Sequence, residues 1–268
     1  RNLKRKSVLG QLVIVLLCLE AMFFGSFVSL SLPTATMGNL TNFTHATTVD
    51  FVDRFPFQFQ QQVKAKFPNL TKPVQPVRYS VYVPIVPLAV LTGYVLSMPL
   101  APVAALSWLL LGVVGPLTGM FLFSAGGGSD YWREPGFGYL IGMIGAAWLA
   151  GRLVSEERKS WRQLASAIGG VLLTHLVGLC WLVGSSVAVL LSEGDSVYYK
   201  WQPYLGEQIR NLSWYQLPYD LVLAVLLIAL AFPLRWLTGI LTAPDIGSKH
   251  RAPQVLDNQL ELLSETAV

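Results

Sequence analysis

The sequence predicts an all-α membrane protein, a bundle of six transmembrane helices with both termini in the cytoplasm. Hydrophobic residues make up 53% of the 268 residues and charged residues only 13%, whereas soluble domains contain about 25% charged residues. Six apolar segments are close to the length of about 20 residues that a helix needs to cross a bilayer. The connections between them differ in their content of basic residues, which predicts their orientation.

The six predicted spans follow one another with short connections, except for one long insertion between the first two. The first span begins after a basic stretch, as a signal peptide does. Its apolar run is longer than that of a signal peptide and no small-x-small cleavage motif follows, so we expect a retained helix. The spans are Val8–Leu32, Tyr79–Met98, Ala101–Phe123, Gly136–Val154, Leu164–Leu191 and Leu217–Leu241.

The distribution of basic residues predicts the orientation of this bundle. The short loops on one side contain only Arg133, Lys200 and Arg210. Both termini are therefore expected in the cytoplasm, because cytoplasmic loops are enriched in Lys and Arg. Residues 1–242 then form the membrane domain, and the polar residues 243–268 form a cytoplasmic tail. The basic residues of the cytoplasmic side are Arg1, Lys4, Arg5, Lys6, Arg152, Arg158, Lys159, Arg162, Arg235, Lys249 and Arg251.

The insertion, residues 33–78, is predicted to be external because it follows the first span of a chain with a cytoplasmic N-terminus. Its basic residues do not argue against this position, since long loops escape the charge rule. Its first part, Pro33–Thr48, is rich in Thr and Asn and is expected to be irregular. From Asp50 to Phe67, phenylalanines and one valine recur every four residues, which is the spacing of one helical face. This helix is expected either on the membrane surface or over the mouth of the bundle.

A glycine-rich loop between the third and fourth spans is the most informative segment of the sequence. Phe121–Gly142 reads FLFSAGGGSDYWREPGFGYLIG, with apolar stretches on both sides. Irregular polar backbone beside membrane helices is tolerated only where it is buried in protein or lines a cavity. We therefore predict that this loop faces a ligand, and Gly126, Gly127 and Gly128 are candidate contacts.

Several polar and aromatic side chains are further candidates for a binding site. Asp220 either caps the last span or accepts N–H groups of a ligand, and His175 is either an interior residue or a ligand contact. Arg133 is either an exposed loop residue or the partner of a ligand carboxylate. Tyr139 and Trp181 border the suspected site and are expected to form part of its wall.

The residues do not support an enzymatic, metal-binding or nucleic-acid-binding function. The chain has no G-x-x-x-x-G-K-[ST] string, and Ser129 is followed by Asp130 rather than by the Gly of an intramembrane serine protease. The three histidines lie far apart, so no metal or other cofactor is expected. The net charge of +4 is not concentrated in one segment, and we expect no nucleic-acid partner.

The glycine-rich loop, the Pro135–Gly142 helix start PGFGYLIG and the Leu217–Asp220 helix start LPYD together resemble the BioY family. This family comprises biotin-specific substrate-binding components of energy-coupling-factor transporters. The resemblance extends over most of Leu12–Ala231, and the order of the motifs makes it stronger than any one of them.

The resemblance implies that the protein takes up biotin through the bacterial plasma membrane. Biotin, or a similar small molecule, would bind from outside among the glycine-rich loop and the fifth and sixth spans, beneath the first loop. The protein would lie among membrane lipids and associate with a transmembrane coupling protein and two ATPase subunits. Ala21 and Gly25, a small-x-x-x-small pair in the first span, would dock the coupling protein; packing within the chain is the alternative.

The sequence departs from the family at a position that bears on the ligand. The family has a lysine three residues after the aspartate of the sixth helix, where this chain has Leu223. Arg133 is a candidate to replace this cation. Alternatively, the ligand has changed, or the bundle serves as a structural subunit of a larger membrane complex without transport.

Overall fold

Helices form most of the computed structural model, which describes residues 8–96, 98–123, 127–155, 160–191 and 201–231, with residues 237 and 240. The elements of this part are α1 (Val8–Phe27), β1 (Leu30–Pro33), α2 (Met37–Asp53), α3 (Phe57–Lys66), β2 (Tyr79–Tyr82), α4 (Ile85–Leu96), α5 (Leu100–Val114), α6 (Phe137–Ser155), α7 (Ser160–Leu191), α8 (Leu205–Ile209) and α9 (Leu217–Leu230). A π-helical turn, Arg210–Trp214, joins α8 to α9. The polar tail, residues 243–268, lies outside the described residues.

The prediction of an all-α membrane protein is confirmed. Among the described residues, five helical stretches are long and apolar enough to cross a membrane. The helix α4 is equally apolar but has only 12 residues. The five stretches are Val8–Phe27, Leu100–Thr118, Phe137–Val154, Ser160–Leu191 and Leu205–Leu230.

The predicted bounds of the first two spans were wrong at the ends that face each other. The predicted span Val8–Leu32 ends as a helix at Phe27, and Tyr79–Met98 begins with a strand rather than a helix. The strands β1 and β2 pair antiparallel, with Leu30 opposite Tyr82 and Pro33 opposite Tyr79. Valine and tyrosine in β2 favour a strand, so a continuous apolar run concealed a change of secondary structure.

The expectation of an irregular start to the insertion was also wrong, because α2 begins at Met37. The hydroxyls of Thr41, Thr44 and Thr48 donate to backbone carbonyls three or four residues earlier. These hydroxyls find acceptors one turn earlier in the helix, so they need no irregular backbone to be satisfied, although such bonds slightly weaken a helix. The predicted phenylalanine face is divided between α2 and α3, with the Phe55 ring 5.1 Å from Phe51 and 4.9 Å from Phe59.

The longest helix, α7, packs against α6 through small residues that let the two helices approach closely. A side-chain atom added at Gly142 would lie 2.8 Å from the carbonyl oxygen of Thr174. One added at Gly178 would lie 2.5 Å from the ring of Tyr139. Small residues at such contacts are typical of helix pairs in membranes, where close packing replaces the hydrophobic effect. The ring of Tyr139, on α6, is therefore held against Gly178 of α7.

Replacement of Gly178 should therefore destabilise the protein. Gly178→Ala would place a methyl carbon 2.5 Å from atoms of the Tyr139 ring, which is closer than van der Waals contact. Such overpacking costs about 1–3 kcal/mol. The matched control is Gly184→Ala on the same helix, where no described atom lies within 4 Å of the added carbon. Thermal unfolding of the purified protein in detergent should show a lower midpoint for Gly178→Ala only. Equal midpoints for the two variants would contradict this packing.

Candidate functional site

Two side chains at the start of α9 attach the β1–β2 pair to the bundle through hydrogen bonds. The Tyr219 hydroxyl donates a hydrogen bond to the carbonyl oxygen of Pro33, at the end of β1. The Gln216 side-chain amide donates to the carbonyl oxygen of Val81 in β2 at 3.5 Å. These contacts hold β2 beside the start of α9, so the side chain of Tyr82 enters the interior.

A buried hydrogen-bonded cluster forms where β2, α6, α7, the π-helical turn and α9 meet. We call it the Asp220 cluster; its members are Tyr82, Tyr139, His175, Ser213 and Asp220. The Tyr82 hydroxyl donates to one carboxylate oxygen of Asp220 at 2.8 Å, and His175 Nε2 lies 3.0 Å from the other. His175 Nδ1 lies 3.2 Å from the Ser213 hydroxyl, which lies 2.6 Å from the Tyr139 hydroxyl.

One arrangement of protons satisfies every hydrogen bond of the cluster. If His175 is neutral with its proton on Nε2, it donates to Asp220 and accepts from the Ser213 hydroxyl through Nδ1. Ser213 in turn accepts from Tyr139. Burial, together with the charge of Asp220 and its hydrogen bond, raises the pKa of Tyr82 above the usual value, so its hydroxyl remains a donor. The cluster therefore presents a carboxylate held by two donors.

Burial makes this cluster energetically sensitive. Asp220 is only 2% exposed, and the other four members are also buried. A buried polar group that loses its partner costs about 1–3 kcal/mol, and more if it is charged. Asp220 therefore depends on Tyr82 and His175 for its burial, unless a ligand takes their place.

Trp181 lies beside the cluster and has an unsatisfied donor. Its ring packs against the backbone of Gly138 and meets the Phe137 ring edge-on at 5.3 Å. Its indole Nε1 is buried without a hydrogen-bond partner in the described part of the chain. Most buried donors in proteins are paired, so an unpaired one beside a polar cluster is consistent with a ligand contact.

The glycine-rich loop lies against α5 in the part that the structure describes. Gly127 has φ +76°, and a side-chain atom there would lie 2.2 Å from the carbonyl oxygen of Gly112. Gly128 has φ +98° and open space beside it. Both positions therefore require glycine, because other residues rarely adopt these angles. Gly126 lies outside the described residues.

Arg133 does not join the Asp220 cluster through its guanidinium. That group lies 3.8 Å from the Asp130 carboxylate and 5.2 Å above the Trp132 ring. The connection to the cluster is indirect: the Trp201 indole donates to the Arg133 carbonyl oxygen at 2.8 Å, and Trp201 packs with Tyr139. The sequence-based proposal that Arg133 binds a ligand carboxylate thus requires the guanidinium to leave Asp130.

A small cavity is lined by residues that adjoin members of the cluster in sequence, Val83 after Tyr82 and Leu140 after Tyr139. It has a volume of about 110 Å³ and is lined by residues that include Ser26, Val83, Trp108, Phe123 and Leu140. Ligand pockets usually occupy about 300–1,000 Å³, so this cavity is too small for a vitamin-sized molecule. A ligand that binds here must displace side chains.

The two small residues of α1 lie in different surroundings. A side-chain atom at Gly25 would meet Leu88 of α4 at 2.1 Å, so Gly25 packs within the chain. Ala21 is exposed on the surface of α1. Of the two, Gly25 therefore packs within the bundle and Ala21 faces away from it.

Sequence reasoning missed two members of the cluster, Tyr82 and Ser213. Ser213 precedes Asp220 by seven residues, or two helical turns, and this spacing could have suggested a shared face. Tyr82 is 138 residues from Asp220, and no pattern in the sequence links them.

Among the described residues, no group of three or more His, Cys, Asp or Glu residues could hold a metal ion.

Comparison with known proteins now assigns the chain. The model of the BioY family matches residues 72–239, more than half of the sequence and every member of the Asp220 cluster. The chain belongs to the BioY family. As a member, it is a transport component rather than an enzyme. The match begins after α3, so α1 and most of the insertion lie outside it.

A crystal structure of the S-component for biotin from an ECF-type ABC transporter aligns with a TM-score of 0.42 and 18% identity, over 75% of this chain and 95% of the other. No curated protein gives a significant match.

Loss of the Tyr82 hydroxyl should destabilise this BioY family member. Tyr82→Phe leaves the Asp220 carboxylate with one donor fewer, at an expected cost of about 1–3 kcal/mol. The control is Tyr79→Phe in the same strand, where the side chain is 57% exposed. Denaturant or thermal unfolding should distinguish the two variants. The role of Tyr82 is rejected if both unfold like the wild type.

Proposed function

We propose that the protein is the substrate-binding component of a biotin uptake transporter, with the Asp220 cluster and Trp181 as its binding site. Membership of the BioY family supports transport, and the buried carboxylate of Asp220 is the observation that carries the choice of site. The ureido ring of biotin offers N–H donors, which a carboxylate accepts through charge-assisted hydrogen bonds.

Binding in this site replaces hydrogen bonds of the chain with hydrogen bonds to the ligand. A ureido N–H can take the place of Tyr82 or His175 at Asp220, and the ureido carbonyl can accept from the displaced donor. The unpaired indole N–H of Trp181 offers a further donor to the ligand. Gly126, Gly127 and Gly128 complete the proposed site, and Arg133 remains a candidate for the ligand carboxylate.

The proposal includes partners and topology. The bundle has six transmembrane helices with both termini in the cytoplasm, and α4 is the short sixth member. It lies in the plasma membrane of a bacterium and delivers biotin inward with a coupling protein and two ATPase subunits. The exposed Ala21 lies on the α1 surface that would face the coupling protein.

Biotin binding to the full chain in detergent or nanodiscs tests this function. Titration calorimetry should give a Kd in the micromolar range or below, equivalent to about −8 kcal/mol or stronger. Asp220→Asn should weaken binding at least about tenfold, because a hydrogen bond to a charged group contributes about 1.5–3 kcal/mol. The control is Asp50→Asn, since Asp50 is exposed and paired with Arg54 on α2.

A failure has two distinct forms. A folded wild-type protein that binds no biotin would overturn the biotin assignment. Binding that Asp220→Asn leaves unchanged would instead remove the Asp220 cluster from the site while keeping the function.

A second candidate function is a structural or accessory subunit of a larger membrane complex. Two observations favour it: Leu223 stands where the family has lysine, and the Asp220 cluster satisfies its own hydrogen bonds without a ligand. Co-purification separates the two functions. A coupling protein with ATPase subunits supports transport, and a stable complex without ATPase subunits supports the accessory role.

A further inference from the structure

A second, larger cavity lies between the insertion and the chain segment that precedes α9. Its volume is about 660 Å³, within the range of about 300–1,000 Å³ that is usual for ligand pockets. We call it the polar cavity, because most of its lining is polar. Asn42 and Arg78 line it from the insertion, and Glu207, Arg210 and Tyr215 line it from the other side.

The charged residues of the polar cavity give it a net charge of +1. Arg78 and Arg210 contribute two positive charges and Glu207 one negative charge. Arg210 lies 3.9 Å from Glu207, at the outer limit of an ion pair, and Arg78 makes no ion pair within the described residues. One guanidinium is therefore left without a counter-charge.

The backbone holds Arg78 firmly at the edge of this cavity. Its N–H donates to Asn39 Oδ1 at 2.7 Å, and its carbonyl oxygen accepts from Asn39 Nδ2 at 2.8 Å. The same carbonyl accepts from the Thr34 N–H at 2.9 Å. A binding group on a fixed backbone loses less freedom when a ligand arrives, which favours binding.

We propose that the polar cavity binds the carboxylate of a small organic anion through Arg78 and Arg210. Guanidinium groups bind carboxylates and phosphates through paired hydrogen bonds. The net charge of +1 matches a monocarboxylate and leaves a phosphate, with a charge of about −1.5 to −2, only partly neutralised.

This site is separate from the Asp220 cluster. Tyr79 lines the polar cavity and Tyr82 belongs to the cluster, and their Cα atoms are three positions, or about 10 Å, apart along β2 at 3.3 Å per residue. On the opposite side, Asn211 lines the cavity and Ser213 joins the cluster. The proposal does not depend on biotin being the ligand of the cluster.

The first test uses the wild-type full chain, so it does not depend on the folding of a variant. Phenylglyoxal modifies accessible arginines, and mass spectrometry follows each site. Pentanoate at twice its Kd should slow modification of Arg78 and Arg210 about threefold, because the unoccupied fraction is 1/(1 + [L]/Kd). The neutral pentanamide should give no protection, and Arg54, outside the cavity, should react at an unchanged rate.

Variants then assign the binding groups. Ligand-observed NMR should show pentanoate binding at least about tenfold weaker in Arg78→Gln and in Arg210→Gln, because each removes charge-assisted hydrogen bonds. Arg54→Gln, which alters an exposed arginine paired with Asp50, should bind as the wild type does.

Several results would overturn the proposal. These are equal protection by pentanamide, stronger protection by inorganic phosphate, protection of Arg133 in place of Arg78 and Arg210, or no protection at all. A lack of biotin binding would instead count against the transport function and leave this site standing.

Discussion

The carboxylate of Asp220 joins the segments outside the helix bundle to its interior. It receives Tyr82 from β2 on one side and His175 from α7 on the other. A buried carboxylate without donors would cost several kcal/mol, so α7, α9 and β2 must come together for any of them to hold this position. The series of hydrogen bonds then continues from His175 through Ser213 to Tyr139 on α6. This cluster fixes the geometry of one end of the bundle.

The same interaction connects the insertion to the proposed binding site. The strands that bracket the insertion are paired with each other, and β2 also supplies Tyr82 to Asp220. Under the proposed function, a ligand that takes a hydrogen bond from Asp220 would release either Tyr82 or His175, and release of Tyr82 would remove part of the anchor of β2. The proposed site would thus link ligand binding to the position of β2 through one side chain.

The class of fold and the candidate residues that the structure brings into the Asp220 cluster could be identified from the sequence, because both depend on local patterns. Apolar length predicts α1, α5, α6, α7 and α9, since a membrane span requires it. His175 and Asp220 were identifiable because a polar residue in an apolar helix is costly.

The meeting of these residues could not be predicted, because it depends on packing between distant segments. Tyr82 reaches Asp220 only because a strand forms where the apolar run suggested a helix. The threonines of α2 suggested an irregular chain, but their hydroxyls are satisfied within the helix. The guanidinium of Arg133 lies near Asp130, a choice of partner that the sequence leaves open.

Hydrogen–deuterium exchange with and without biotin tests the central claim most directly, that the ligand binds at the Asp220 cluster. If it does, exchange should change in the peptides that contain β2 and the Arg210–Trp214 turn, with little change in α2 and α3. Changes confined to α2 and α3, or unaltered exchange in β2 and the turn at saturating biotin, would contradict it.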